Sequence, residues 1–241
     1  MTASDIRVVA ETASTNDDMK ALAAEGAGEG IWLRAERQTA GRGRMGRDWE
    51  GQAGNLFAST LVRVLPMDPS PPTLALVAAV AVHRALEDFT GAGVLSIKWP
   101  NDIVAGDAKL CGVLMERAGD AVAIGIGVNI AAAPEIPNRR TACLYDLGAA
   151  GCDAASVLDV IAARFDEELL RWRTYGLEPI VRAWLIRAHA PGTPMTVHLP
   201  DEETVIGAFD TLAPDGALIL RLADGGRRAI HAGDVFLTSP L

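Results

Sequence analysis

Short runs of hydrophobic residues, separated by glycine, proline and charged positions, predict alternating strands and helices over the first 190 residues. Alternating or β-branched runs predict strands over 6–10, 31–36, 55–65, 94–99, 103–104, 109–117 and 121–130. Apolar residues at helical spacing predict helices over 14–26, 73–89, 153–175 and 179–189. Ser14, Thr15 and Asn16 are residue types that cap helices, and Asp153 precedes the third predicted helix in the same way. The near-continuous apolar character of 73–89 indicates a mostly buried helix.

The pattern changes after Pro191 and Gly192, where short runs and tight turns follow. Strands are predicted over 195–199, 204–212, 217–222, 227–231 and 235–238, with turns at 214–216 and 224–226. Five short strands in about fifty residues favour a small β-barrel. The chain is therefore predicted to contain two domains, one over 1–190 and a C-terminal one over 191–241.

The overall charge narrows the classes of ligand. The chain has 31 acidic and 22 basic residues, a net charge of −9, which argues against general nucleic-acid binding. Three cysteines without close pairing and four scattered histidines give no zinc signature and fit a reducing cytoplasm. Charged residues near the N-terminus argue against a signal peptide, and the apolar run over 74–82 is too short to span a bilayer.

One loop concentrates positive charge in this acidic chain. Residues Gly41–Arg47 interleave three glycines with three arginines. Glycine lets the backbone approach a ligand closely, and arginine binds carboxylates and phosphates through paired hydrogen bonds. The loop therefore predicts closure over a small anionic ligand. A dinucleotide-binding turn is an alternative, but 48–54 lacks the helix character that such a turn requires. A solvated basic loop without a function is the other alternative.

Three further clusters stand at predicted strand ends, where sheets commonly build sites. They are Lys98–Asp102, Lys109–Leu114 and Gly125–Ile130. Each alone has an ordinary explanation: a turn residue, a solvated strand edge, or glycines at a position of close packing. Their combination with the arginine loop is more specific than any one of them.

Taken together, these clusters with Gln38 and Ser14-Thr15-Asn16 resemble the biotin protein ligases, enzymes that attach biotin to a lysine of a carrier protein. The resemblance runs in order from about Glu11 to Ile130, and the last fifty residues match only in size and predicted barrel character. It implies an α+β fold: a mixed β-sheet catalytic domain flanked by helices, similar to class II synthetases, plus a small C-terminal SH3-like β-barrel.

The resemblance also implies a two-step reaction. Biotin and ATP form biotinyl-5′-AMP, and biotin then passes to a lysine of the biotin carboxyl carrier domain of an acyl-CoA carboxylase. Mg²⁺ is the expected third cofactor, and a homodimer is possible. Two negatively charged reactants must meet in the first step, so fixed cations are needed to offset their repulsion. The ureido ring of biotin presents one acceptor and two donors, which hydroxyl and amide side chains can satisfy.

Site residues follow from matching this chain to the motifs. Catalysis is assigned to Arg42, Arg44 and Lys109. Biotin binding is assigned to Ser14, Thr15, Asn16, Gln38, Gly41, Arg42, Gly43, Arg44, Lys109 and Gly112. ATP binding is assigned to Arg44, Arg47, Trp49, Asn101, Asp102, Lys109 and Asn129, with Asp102 as a magnesium ligand. Ser14 and Thr15 have the alternative role of capping the first helix.

Two departures and two rival functions accompany this interpretation. Met45 stands where many relatives have another basic residue, and Cys111 where alanine or glycine is commoner. The motifs begin near residue 11, so an N-terminal DNA-binding helix-turn-helix and a DNA partner are not expected. A lipoate or octanoate transferase is the nearest rival, although those enzymes lack the double glycine–arginine loop. A non-enzymatic docking module is the other.

Overall fold

The structure is a computed structural model that describes residues 5–49, 51–137 and 139–237. Within these ranges the first unit contains β1 (Asp5–Thr12), β2 (Ile31–Gln38), β3 (Leu56–Arg63), β4 (Leu95–Lys98), β5 (Asp102–Ala105), β6 (Ala108–Ala118) and β7 (Ala121–Val128). Its helices are α1 (Thr15–Ala24), α2 (Leu74–Thr90), α3 (Ala154–Tyr175) and α4 (Glu178–Arg187). The C-terminal unit contains β8 (Pro194–His198), β9 (Thr204–Leu212), β10 (Leu218–Arg221), β11 (Arg227–Ile230) and β12 (Asp234–Leu237).

The first seven strands form one mixed sheet in the order β1-β2-β3-β7-β6-β5-β4. Only β1 and β2 pair in parallel, and α1 makes the crossover between them. The remaining neighbours pair antiparallel, and short turns connect β4 to β5, β5 to β6 and β6 to β7. The prediction of a mixed sheet flanked by helices is confirmed.

The two faces of this sheet differ in side-chain size. On β7, alternate residues enter the large core beneath α2 and α3, namely Val122, Ile124, Ile126 and Val128. The intervening residues on the other face are Ala121, Ala123, Gly125 and Gly127. The two alanines pack against Met19 and Ala23 of α1. Beyond α1, the two glycines leave a shallow floor on which a site can form.

Helix α2 lies between the sheet and the other long helices, which explains its continuous apolar sequence. Its residues from Leu76 to Val82 are all buried. Trp32 of the sheet meets Phe165 of α3 edge to face, with ring centroids 5.8 Å apart. No helix in the described ranges is long and apolar enough to cross a membrane.

The two predicted helix caps have different outcomes. Asp153 caps α3 through a capping box with Ser156, as predicted. Ser14 occupies the cap position of α1 but makes no side-chain cap hydrogen bond, so that part of the prediction is wrong. The Thr15 hydroxyl instead contacts Gln38, on the neighbouring strand.

The last five strands form a separate antiparallel sheet in the order β11-β10-β9-β8-β12. We call it the C-terminal sheet. Its core is continuous with that of the first unit, since Phe209 lies 6.1 Å from the Trp184 ring of α4. Trp99 also donates its indole N–H to Gly216 O at 3.1 Å. The predicted all-β C-terminal unit is thus present. The domain boundary at residue 190 stays a prediction. Thr238, which was predicted to end the last strand, lies outside the described residues.

A buried ion pair between α2 and α3 gives the first testable prediction. Arg84 Nη1 lies 2.5 Å from Glu168 Oε1, and Glu168 is fully buried. Arg84→Ala should lower the free energy of unfolding by about 3 kcal/mol, because the carboxylate stays buried without its main partner. Urea denaturation measures the loss.

Arg182→Ala is the matched control for this substitution. Arg182 pairs with Glu178 at 3.0 Å, but both side chains are at least three-quarters exposed. Removing an exposed pair should cost less than about 0.5 kcal/mol. Equal losses in the two variants would contradict the importance of the buried pair.

Candidate active site

A cavity of about 710 Å³ lies on the glycine-bearing face of the mixed sheet. Its floor is formed by β6 and β7, and its walls come from the arginine loop, the 98–102 segment, the loop after β7 and β12. Most of the predicted site residues line it: Ser14, Thr15, Asn16, Gln38, Arg42, Gly43, Arg44, Arg47, Trp49, Asn101, Asp102, Lys109 and Gly112. Four separate sequence clusters therefore meet in one place.

Gly41 and Asn129 are the two predicted site residues that do not line the cavity. A Cβ atom at Gly41 would lie 2.7 Å from Trp49 O and would overlap the Gln38 side chain, so glycine is needed for packing. Asn129 Nδ2 donates to Ala142 O at 3.1 Å and thereby holds the loop that follows β7. The binding roles assigned to both residues stay predictions.

Glycines on the cavity floor permit close contacts with two larger side chains. The Trp49 indole lies directly against Gly127 and Gly112, where a Cβ atom would clash or crowd it. Asn16 approaches Gly125 in the same way, with Oδ1 2.6 Å from the position of a Cβ atom. The glycine pair in 125–127 is therefore a close-packing position that also forms part of the cavity.

Neutral hydrogen-bonding groups form one end of the cavity, where α1 begins and β2 ends. The Thr15 backbone N–H donates to Gln38 Oε1 at 2.9 Å, and the Thr15 hydroxyl lies 3.2 Å from the same oxygen. Ser59 Oγ is 2.8 Å from both Thr15 Oγ1 and Asn16 Oδ1. Asn16 Nδ2 donates to Glu116 Oε2 at 2.8 Å.

Sequence reasoning missed Ser59 and Glu116. The available signal is weak: Ser59 is a polar residue inside an otherwise apolar strand, and Glu116 is a charge near the end of another. Their importance depends on α1 lying across both strands, which no local pattern reveals.

Cationic groups gather near β5 and β6. Lys109 Nζ lies 2.7 Å from Asp102 Oδ1, and Lys98 Nζ is 3.5 Å from Asp102 Oδ2. Burial by itself would raise the pKa of Asp102, but these two ammonium groups hold its pKa below the ordinary value. Lys109 also lies 5.4 Å from the centre of the Trp49 ring. Asp102 is therefore an ionised carboxylate that both lysines already engage.

This arrangement does not fit the predicted magnesium ligand. Magnesium sites use oxygen donors, commonly one or two carboxylates together with phosphates. Both Asp102 oxygens already face ammonium groups, Oδ1 at 2.7 Å from Lys109 and Oδ2 at 3.5 Å from Lys98. Magnesium binding by Asp102 is therefore not supported by the geometry.

The first arginine of the loop turns toward α1. Arg42 Nη2 lies 2.5 Å from Asp17 Oδ1 and 3.7 Å from Glu116 Oε1. The loop is therefore not simply solvated. It is also not a dinucleotide turn, because no helix begins between this loop and β3 in the described residues: Arg44–Gly46 form a three-residue 3₁₀ turn within the loop, and Arg42 pairs with Asp48 in an isolated β-bridge.

The other two arginines reach the C-terminal sheet. Arg44 donates to Asn101 Oδ1 at 3.1 Å and to Gly233 O at 2.7 Å. Arg47 donates to Asp234 Oδ1 at 2.8 Å. Burial lowers the pKa of Arg44 from its usual value, although Asp234 opposes the shift. No local sequence pattern indicates this contact, because Arg47 and Asp234 are 187 positions apart.

The loop between β7 and α3 contributes residues that the sequence analysis did not select. Arg139 lies 5.6 Å from the Phe236 ring of β12, a distance at which a cation and an aromatic face attract. Arg139, Arg140 and Thr141 all line the cavity. Two adjacent arginines in a proline-containing loop were the available signal.

The arrangement suits one elongated ligand with different chemistry along its length. Asn16 of the neutral end packs on Gly125 of β7, whereas Lys109 Nζ approaches Gly112 on the neighbouring strand β6, so one ligand can contact both ends. Trp49 and Phe57 provide apolar surface in the cavity. The cavity can therefore hold a neutral polar head at one end and anionic groups at the other.

Asp234→Asn tests the connection between the arginine loop and the C-terminal sheet. Loss of the carboxylate should weaken the hold on Arg47 and make local opening of the loop easier. Limited trypsin digestion should then cut after arginines in 42–47 several-fold faster, as measured by mass spectrometry.

The control for this experiment is Glu203→Gln. Glu203 forms a short ion pair with Arg228, at 2.5 Å, also within the C-terminal unit but away from the loop. Cleavage in that variant should proceed at the wild-type rate. An unchanged loop cleavage rate in Asp234→Asn would show that Asp234 does not restrain the loop.

Comparisons with known proteins agree with this geometry. The model of the biotin/lipoate A/B protein ligase family matches residues 10–130, and the biotin protein ligase C-terminal domain matches 195–238. The biotin–acetyl-CoA-carboxylase ligase of Paracoccus denitrificans is 38% identical over 95% of this chain and 99% of that protein. The Mycobacterium tuberculosis enzyme of the same name is 35% identical, over 95% of this chain and 87% of its own.

A solved structure shows the same overall arrangement. The biotin protein ligase from Aquifex aeolicus in complex with biotin and ATP superimposes with a TM-score of 0.84, at 28% identity, over 98% of this chain and 99% of that one. The family match covers half of this chain, and the relatives extend over nearly all of it. The chain therefore belongs to the biotin/lipoate A/B protein ligase family.

Proposed function

We propose that this enzyme activates biotin with ATP to give biotinyl-5′-AMP and pyrophosphate, and then transfers biotin to a lysine of a biotin carboxyl carrier protein. The names of the relatives from P. denitrificans and M. tuberculosis support acetyl-CoA carboxylase as the acceptor enzyme. The A. aeolicus ligase, which binds both biotin and ATP, supports the two small substrates.

The proposal depends mainly on one observation: uncharged hydrogen-bonding side chains line one end of the cavity, and lysine and arginine side chains line the other. The ureido ring of biotin fits the neutral end, where Ser14, Thr15 and Gln38 offer hydroxyl and amide groups. The valeryl chain extends over the apolar surface of Trp49. Its carboxylate then reaches the region of Lys109, where the phosphates of ATP also bind.

In the first step a carboxylate oxygen attacks the α-phosphorus of ATP, and the bond to pyrophosphate breaks. Lys109 is the cation proposed to lie closest to the new bond between the carboxylate and the α-phosphorus. Its ammonium group stands at the cavity floor, beside the Trp49 ring. Arg44 contributes a second, partly buried positive charge. Preorganised cations lower the barrier because they offset charge that is concentrated in the transition state.

Arg42 has a different position from these two cations. Its guanidinium is engaged by Asp17 and lies near Glu116, so part of its charge is compensated within the protein. Its proposed role is to hold Gly43 and the start of the loop against the bound biotin. A catalytic role for Arg42 stays a prediction.

The nucleotide occupies the side of the cavity that faces the C-terminal sheet. Arg47, Asn101 and Asp102 stand there, and Arg139 with Phe236 adds a cation and an aromatic surface.

In the second step the carrier lysine amine attacks the acyl carbon of the adenylate, and AMP leaves. No covalent enzyme intermediate is needed, since the mixed anhydride is already activated. A homodimer and a cytoplasmic location stay predictions.

A lipoate ligase is the rival within the same family. Exchange of labelled pyrophosphate into ATP distinguishes the two enzymes. Exchange that depends on biotin supports the proposal, and exchange that depends on lipoate alone overturns it. The named relatives and the neutral end of the cavity both favour biotin.

Lys109→Ala should slow biotin-dependent pyrophosphate exchange by at least about 100-fold, because the lost charge acts mainly in the transition state. Biotin affinity, measured by calorimetry, should change only a few-fold. Arg164→Ala, an α3 cation paired with Asp88 at 3.1 Å, is the control and should exchange at the wild-type rate. Normal exchange in Lys109→Ala would remove its proposed role.

Arg44→Gly should loosen the closed loop, because it removes the contacts with Asn101 and Gly233. The reactive adenylate should then escape and label lysines of a bystander protein such as serum albumin. Streptavidin blotting measures this labelling against that of the carrier. A variant that labels only the carrier would show that Arg44 does not retain the intermediate.

A further inference from the structure

A chain of hydrogen bonds connects the neutral end of the cavity to Glu116, which does not line the cavity. It runs from Glu116 through Asn16 and Ser59 to the Thr15 hydroxyl, with 2.8 Å between the atoms of each pair, and the Thr15 backbone N–H donates to Gln38 Oε1 at 2.9 Å. Asn16, Thr15 and Gln38 line the cavity, whereas Glu116 does not, although it contacts two residues that do, Asn16 and Arg42. The direction of each bond in this chain can be worked out by counting protons.

Glu116 sets the starting direction, because an ionised carboxylate can only accept hydrogen bonds. Lys20 Nζ lies 2.9 Å from Oε1, and Arg42 is 3.7 Å from the same oxygen. Burial alone would raise the pKa of Glu116, but the hydrogen bonds from Lys20 and Asn16 keep its pKa below the usual value. Asn16 must therefore turn its Nδ2 toward Glu116 and its Oδ1 toward Ser59.

The single hydroxyl proton of Ser59 must then point to Asn16 Oδ1. Ser59 Oγ lies 2.8 Å from both Asn16 Oδ1 and Thr15 Oγ1, and one proton serves only one of these contacts. Asn16 Oδ1 has no proton of its own, so Ser59 donates to it. The contact between Ser59 and Thr15 then requires the Thr15 proton.

The consequence appears at the two residues that face the ligand. With its proton directed to Ser59, Thr15 Oγ1 presents only lone pairs to the cavity. Its contact with Gln38 Oε1 is longer than these hydrogen bonds, at 3.2 Å, as expected without a proton between the two oxygens. The Thr15 backbone N–H holds Gln38 Oε1 at 2.9 Å, which leaves Gln38 Nε2 as the donor.

We propose that Glu116 is a positioning residue that, through Asn16 and Ser59, fixes Thr15 Oγ1 as an acceptor beside the Gln38 Nε2 donor, which the Thr15 backbone N–H orients. A cyclic urea matches this pair, since a ring N–H meets the hydroxyl oxygen and the carbonyl meets the amide. The inference rests on the proposed function and deepens it, because it states how the cavity distinguishes a urea from rings of the same shape.

Glu116→Gln tests this inference with little change in side-chain shape. A glutamine amide can donate to Asn16 Oδ1, after which Asn16, Ser59 and Thr15 can all reverse and the Thr15 hydroxyl can donate. The probes are biotin and its two cyclic carbamate analogues, in which a ring oxygen replaces one ureido N–H. Calorimetry gives the ratio of their dissociation constants.

In the wild-type enzyme, at least one carbamate should bind about 10- to 100-fold more weakly than biotin, because two acceptors then face each other. In Glu116→Gln this preference should fall to a few-fold. Ser59→Ala breaks the chain in the middle and should have the same effect. The double variant should lose no further preference, since both substitutions interrupt one network.

Asp17→Asn is the matched control. It removes one carboxylate charge from the same cluster, where Asp17 contacts Lys20 and Arg42 at 2.9 and 2.5 Å, without touching Asn16. It should retain the wild-type preference for the urea. A similar loss in Asp17→Asn would show that charge, and not bond direction, is responsible, and would overturn the inference.

Two further outcomes separate the inference from the function on which it rests. An unchanged urea preference in both Glu116→Gln and Ser59→Ala, with thermal unfolding confirming that they fold, overturns the inference while the ligase function stands. If Glu116→Gln fails to fold, Ser59→Ala alone decides. Failure of the wild-type enzyme to bind biotin at all would instead overturn the proposed function.

Discussion

Internal compensation of positive charge is the constraint on which this site depends. Several cations are concentrated in a partly buried cavity to receive anionic groups, and an uncompensated charge there would be costly. Three of these cations have a carboxylate partner close by: Lys109 lies against Asp102, Arg42 against Asp17, and Arg47 against Asp234. The protein can therefore fold with the cations in place before any anionic ligand arrives.

Compensation has a further consequence for binding. An anionic ligand shares cations that already have partners, so binding exchanges one set of ionic contacts for another. Lys109 keeps Asp102 beside it, which fixes the position of the ammonium group. Preorganisation of this kind is more useful for catalysis than a flexible cation, because the group needs no reorientation when charge develops.

The C-terminal sheet is part of the site and not an appendage. One short segment at the start of β12 accepts hydrogen bonds from cations that line the cavity. Arg44 donates to Gly233 O, Arg47 to Asp234 Oδ1, and Lys98 to Val235 O. The continuous core through Trp184 and Phe209 keeps this segment in place. Docking of the second unit and closure of the loop are therefore physically linked.

The sequence by itself determined the strands, the helices, the arginine loop and the identity of most residues that line the cavity. Periodicity, caps and glycine–arginine spacing are local properties, and they act through neighbours a few residues apart. Asp153 could be identified as a helix cap from the sequence because its partner, Ser156, is only three residues away.

Only the tertiary structure decided which charges meet and which way the hydrogen bonds run. The chain has 31 acidic and 22 basic residues, so composition leaves the pairing of Arg47 with Asp234 or Arg42 with Asp17 undetermined. Ser59 and Glu116 both contact Asn16 because α1 crosses the sheet above their strands. Asn129 hydrogen-bonds to the loop that follows β7 and does not line the cavity. These contacts join residues that are 13 to 187 positions apart, and their geometry follows from strand order and docking, which no local pattern encodes.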